Sequence, residues 1–151
     1  LSRHPLLVAY DVHGEKFRYL IVGVWNTAVS FATFALAIRL FAEPLGTTTG
    51  WSEATVALVI QWAVWVLMVV HSTVMMKYFA FRSPGSVVSQ VLRAYFVYLP
   101  AQGMSAVVLW VAMSVFGLGP IPGQVFAIAF ATVFSYLGHK YFTFRVPSED
   151  G

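Results

Sequence analysis

The sequence contains no cysteine, which excludes a disulfide framework, a thiolate metal site and a cysteine nucleophile together. Charge is almost as scarce. Of 151 residues, nine are Lys or Arg and six are Asp or Glu, 10% in all, where a soluble domain carries about 25%. A soluble fold of this size must cover its exterior with polar groups, and these are too few to do it. Acids are missing from one place in particular: none of Asp11, Glu15, Glu43, Glu53, Glu149 and Asp150 lies inside a long apolar run. A proton-coupled intramembrane carrier needs such a carboxylate, and a membrane-embedded phosphotransferase needs a cluster of them to hold Mg²⁺. Both classes are set aside. No Ser/His/Asp arrangement is available for intramembrane hydrolysis, and no donor set suggests a metal. The chain reads as a non-enzyme without cofactor or metal, and no nucleic-acid partner is expected.

Apolar length is what the sequence has in abundance: 59% of residues are hydrophobic and 17% aromatic. Four runs, at about 19–40, 54–76, 94–116 and 121–137, approach the 20 or so residues of a membrane-spanning helix. They are continuously apolar and do not alternate, so they are not barrel strands. The expected fold is all-α and integral to the membrane, a single domain over residues 1–151 with four transmembrane helices. Basic residues fix an orientation, because Lys and Arg accumulate in short cytoplasmic loops. Arg3, Lys16 and Arg18 precede the first run, Lys77, Arg82 and Arg93 lie between the second and third, and Lys140 and Arg145 follow the fourth. Both termini and the middle loop are therefore expected in the cytoplasm. The N-terminal arm is short and polar and does not read as a cleavable signal; it is expected to lie partly in the interface.

The ends of the second and fourth runs repeat one another. Lys77-Tyr78-Phe79-Ala80-Phe81-Arg82 matches Lys140-Tyr141-Phe142-Thr143-Phe144-Arg145 at five of six positions. The starts match more weakly, at Phe17 to Val22 and Leu92 to Val97. Residues 17–82 and 92–145 thus form two helical hairpins of like orientation, a parallel repeat with its pseudo-twofold along the membrane normal.

These residues carry a resemblance. The opening Phe17, Gly23, Asn26, Thr27 and the basic-aromatic exits after the second and fourth helices resemble the GtrA-like family over nearly the whole chain, with Met76 and His139 standing where the family commonly has Asn. The resemblance implies a role in polysaccharide or cell-wall assembly at the bacterial cytoplasmic membrane. It implies either flipping of polyprenyl-phosphate-linked sugars or support of a glycosyltransferase that makes or uses them.

Read for chemistry, the polar residues within the runs offer a cleft. Counted from Arg18 and Arg93 at 1.5 Å per residue, Asn26 and Gln102 each lie about 12 Å above the basic end, and His71 about 9 Å above Lys77. With Ser30, Ser72, Thr73, Ser105 and the shallower His139, they could line a polar path for sugar hydroxyls; the alternative is interhelical hydrogen bonding alone, worth about 0.6 kcal/mol per contact. Arg18, Lys77, Arg82, Arg93, Lys140 and Arg145 form a basic ring suited to a lipid phosphate. The same ring is explained by topology alone, and both readings stand. Pro100 is expected to kink the third helix beside Gln102. Ala127, Ala131 and Ser135 make a small-residue stripe for close packing or dimerisation, and a transporting form is expected to be a homodimer because four short helices enclose little space.

Overall fold

The computed structural model describes residues 5–81 and 84–138, with the side chains of residue 14 and of residues 17–81 and 84–133. Within them the protein is all-α. Helix α1 spans Pro5–Thr49. Helix α2 spans Glu53–Met75 and runs without a break into a π-helical segment, Met76–Phe81. Helix α3 spans Val87–Ser114, and α4 spans Pro120–Gly138. Three stretches, Phe17–Thr49, Glu53–Phe81 and Val87–Ser114, are long and apolar enough to cross a bilayer, and Pro120–Val133 is a shorter apolar fourth. The protein is a multi-pass helical membrane protein.

Helix ends follow capping chemistry rather than the limits of the apolar runs. The polar arm expected at the interface continues α1 from Pro5, and α1 also runs on past Leu40, through Pro44. It stops at Gly50, whose φ of 69° only glycine adopts readily and whose N–H closes onto the Gly46 carbonyl at 2.9 Å. Two residues later Ser52 caps α2 by accepting from the Thr55 N–H at 3.3 Å. The acidic Glu53 in the first turn complements the positive end of the α2 dipole. Helix α3 begins at Val87, seven residues before its apolar run, because the loop residues before it leave Ser86 in extended backbone, the geometry of an N-cap. It continues through Pro100, whose missing N–H leaves one helical carbonyl without its usual donor. Between α3 and α4, Gly117 at φ 65° makes the turn that brings the helices back antiparallel.

The helices pack in chain order: α1 on α2, α2 on α3 and α3 on α4, while α1 and α4 touch only briefly. The arrangement is therefore a row curled on itself with one open seam. Its core is Phe34 of α1, Val56, Ala57, Ile60 and Val64 of α2, Leu109 and Met113 of α3, and Ala127 of α4. Ala127, first of the small-residue stripe, is thus used within the chain, where its lack of bulk lets α4 approach. An aromatic chain pins α2 to α3: Trp62 packs edge-on to Trp65 and Trp65 edge-on to Tyr95, each with centroids 5.4 Å apart. The Tyr95 hydroxyl donates to the Val66 carbonyl at 2.6 Å. Large apolar side chains such as Val24, Phe96, Val97 and Val107 point outward, as a lipid-facing surface requires, since hydrocarbon solvates them as well as the core does.

Candidate functional site

Two polar layers interrupt the apolar interior, at different heights. The first lies toward the end that holds Lys77. There Asn26 Nδ2 on α1 donates to Ser72 Oγ on α2 at 3.0 Å, while Asn26 Oδ1 and His71 Nε2 are buried with no hydrogen-bond partner. Thr73 turns its hydroxyl back onto the Val69 carbonyl at 2.7 Å, which satisfies it within its own helix. The second layer joins α2, α3 and α4. Gln61 Nε2 donates to Gln124 Oε1 at 3.0 Å and to Ser105 Oγ at 3.3 Å, and all three glutamines, Gln61, Gln102 and Gln124, are at least nine-tenths buried. Gln61 Oε1 and Gln102 Nε2 have no partner.

Asn26 and Gln102, expected at one height, do not meet, and no hydrogen bond joins them. Asn26 is level with Ser72. Gln102 stands one turn from Ser105, which is level with Gln61, eleven residues and about 16 Å along α2 from Ser72. Counting from Arg18 and Arg93 misplaced them because α1 and α3 enter the membrane with different lengths of helix before those arginines. Sequence reasoning passed over Gln61 and Gln124, although each is an uncharged polar residue in an otherwise apolar run, which was signal enough. Replacing Gln61 by Leu should destabilise the fold by about 1–2 kcal/mol, because Gln124 Oε1 is left without its donor where no water replaces it. Reversible unfolding in mixed micelles, with Gln124→Leu and the double variant to complete the cycle, measures it.

Of the expected basic ring, Arg82, Lys140 and Arg145, together with His139, lie outside the described residues. Arg93 is exposed on α3. Arg18 is partly buried, its Nη1 lies close beside Gly14, and its Nε is buried without an acceptor. Lys77 is the one turned inward. It is 7% exposed, donates from Nζ to the Gly85 carbonyl at 2.7 Å and lies 5.8 Å from the centre of the Tyr78 ring. The π segment explains its position: with wider hydrogen-bonded turns than an α-helix, it changes the angular position of residues that would otherwise follow α2's lipid-facing and core-facing stripes. Lys77 borders a cavity of about 150 Å³ together with Tyr19 of α1, Thr73 and Phe81, and Gln90 and Tyr98 of α3. A compact cation buried beside phenolic and amide groups attracts an anion more strongly than a solvated lysine does, because the low dielectric strengthens its field. Hydroxyl and amide donors around it can complete the coordination of phosphate oxygens. Among the described residues no three His, Asp or Glu side chains gather as a metal site would require.

A family model described as the GtrA/DPMS transmembrane domain matches residues 18–144. The chain belongs to this family. Membership in the GtrA/DPMS transmembrane family connects it with processes that handle polyprenyl-phosphate sugars. No curated protein and no solved structure matches it. The matched region takes in both polar layers and the Lys77 cavity.

Proposed function

We propose that the protein binds the phosphate of a polyprenyl-phosphate-linked sugar at the Lys77 cavity and carries the lipid across a bacterial cytoplasmic membrane, for polysaccharide or cell-wall glycosylation. One observation carries this reading: an ammonium group nine-tenths buried at the end of a membrane helix, facing a small polar cavity, in a chain of this family. A lysine that served only to orient the chain would lie in the headgroup region and extend into water. The sugar hydroxyls would meet the Asn26, Ser72 and His71 layer next, where Asn26 Oδ1 and His71 Nε2 have no partner of their own. Nothing in this role calls for catalysis.

A second reading has its own support. Between the two polar layers the interior is closed by Phe34, Ile60 and Val64, so this conformation has no continuous polar path, as befits an accessory subunit that presents the lipid to a glycosyltransferase without moving it. Proteoliposomes containing a fluorescent polyprenyl-phosphoryl sugar separate the two. Protein-dependent flipping supports transport. Its absence from correctly inserted protein, with copurification of a glycosyltransferase, supports the accessory role.

Orientation is tested with single thiols, which the cysteine-free chain makes unambiguous. In intact cells, Ser52→Cys should react with an impermeant maleimide and Ser86→Cys should react only after permeabilisation. The reverse pattern would put the Lys77 cavity on the outer face and overturn the proposed direction of loading.

A further inference from the structure

The open seam between α1 and α4 is an apolar groove of about 600 Å³. On α1 its floor runs from Tyr19 through Gly23, Thr27 and Ala28 to Phe31, and Val125 and Ile128 of α4 form the opposite wall. Twelve residues of α1 make it about 18 Å long. Small residues at its centre give it depth: a Cβ placed on Gly23 would touch nothing within 4 Å. Thr27 spends its hydroxyl on the Gly23 carbonyl at 3.0 Å and so presents its methyl group outward in effect as an apolar residue. One residue belongs to both spaces. Tyr19 ends this groove and also borders the polar cavity that holds Lys77, so a polar site and a long apolar slot meet at a single side chain whose ring is apolar and whose hydroxyl is polar.

We infer that the α1/α4 groove is the binding site for the hydrocarbon tail of the phosphate-bearing lipid, one chain laid along α1 from Tyr19 to Phe31 while its phosphate sits by Lys77. This rests on the reading of the Lys77 cavity as a phosphate site and adds where the chain goes. The shape selects a tail over a partner helix: the slot is narrow at Tyr19, continuous with a cavity of only about 150 Å³, and joined to it at the end where a lipid changes from chain to head group. The groove opens sideways to the bilayer because α1 and α4 barely touch, so a lipid can enter without leaving the membrane. It also gives the protein a means of preferring polyprenyl phosphates over inorganic phosphate or short phosphate esters, which offer the same head and no tail.

The test measures binding of a long-chain polyprenyl phosphate and of geranyl phosphate to the full chain in nanodiscs, with four variants. Ala28→Trp fills the groove about 13 Å from Tyr19, beyond a geranyl chain whose head is seated at Lys77. It should weaken the long-chain ligand about tenfold and leave geranyl phosphate within about twofold. Gly23→Leu, which blocks the groove near its entrance, should weaken the long-chain ligand by a similar factor. Val107→Trp, on an exposed part of α3 outside the groove, should change neither. Lys77→Met should weaken both ligands. Long-chain binding unaffected by Ala28→Trp and Gly23→Leu in folded protein would overturn the groove assignment and leave it as a surface for ordinary bilayer lipid. A loss at Ala28 and Gly23 with no loss at Lys77 would keep the groove and remove the phosphate site. A photoreactive diazirine placed mid-chain gives an independent readout: its adducts should map to peptides of α1 and α4, and adducts confined to α3 would contradict the assignment.

Discussion

Lys77→Met should reduce affinity for a polyprenyl phosphate by one to two orders of magnitude while leaving the fold as stable as before or slightly more so. Two unit charges about 4 Å apart attract by about 4 kcal/mol at an effective dielectric of 20 and about 1 kcal/mol in water. The Lys77 cavity is small and open to the interface, so an intermediate value applies, and each 1.4 kcal/mol is tenfold in binding. Stability should move the other way. Burying an ammonium carries a desolvation penalty that its hydrogen bond to Gly85 offsets only in part, and an apolar side chain of similar length avoids that penalty. Lys77→Arg should retain part of the affinity, since charge persists while the planar guanidinium fits the Gly85 carbonyl and the cavity differently. Equilibrium binding of a fluorescent polyprenyl phosphate, measured beside thermal unfolding of the same samples, separates the two effects. Loss of stability without loss of affinity in Lys77→Met would show a structural lysine.

The second large effect lies at the α3/α4 contact. Leu109 is fully buried, and a Cβ added to Gly123 would stand 3.0 Å from its Cδ1 and 3.4 Å from Met113 Cγ. Leu109→Ala should destabilise the protein by about 3 kcal/mol, within the range for emptying a packed site. Gly123→Leu should cost about 2 kcal/mol or more, because the leucine at 109 has to move before α4 can come this near. The double variant should be less damaged than the sum, since the side chain introduced at 123 enters the space vacated at 109. Unfolding of all four proteins in mixed micelles gives the coupling directly. Strict additivity would mean that α3 and α4 separate to accept the larger residue.

Apolar length made the membrane helices legible: runs as continuous as 54–76 and 121–137 have few other solutions in a bilayer. Their ends were less so. Pro5 to Arg18 contains polar and charged residues that a helix tolerates, and only Gly50, with its positive φ, stops α1. The basic residue at 77 was legible as part of an exit signal, but its inward position was not. Nothing in Met76-Lys77-Tyr78-Phe79-Ala80-Phe81 announces π hydrogen bonding, which depends on how the segment meets α1 and the 84–86 loop. The glutamine layer was hidden for a different reason. Each of Gln61, Ser105 and Gln124 is visible in the sequence, yet their meeting is fixed by the vertical offset of three helices, which Ser52, the turn at Gly117 and the aromatic contact at Trp65 and Tyr95 set from a distance.

The π segment that closes α2 is, in hydrogen-bond terms, an α-helix carrying a surplus residue. Every residue of an α-helix advances about 100° around the axis, so removing one position anywhere between Met76 and Phe81 would let the ordinary ladder re-form and turn the remainder of the segment through roughly that angle. Whether the lysine looks into the protein or out at lipid thus hangs on the length of this segment, down to a single codon. Substitutions that spare every side chain of the cavity while changing that spacing would silence it as completely as removing the charge.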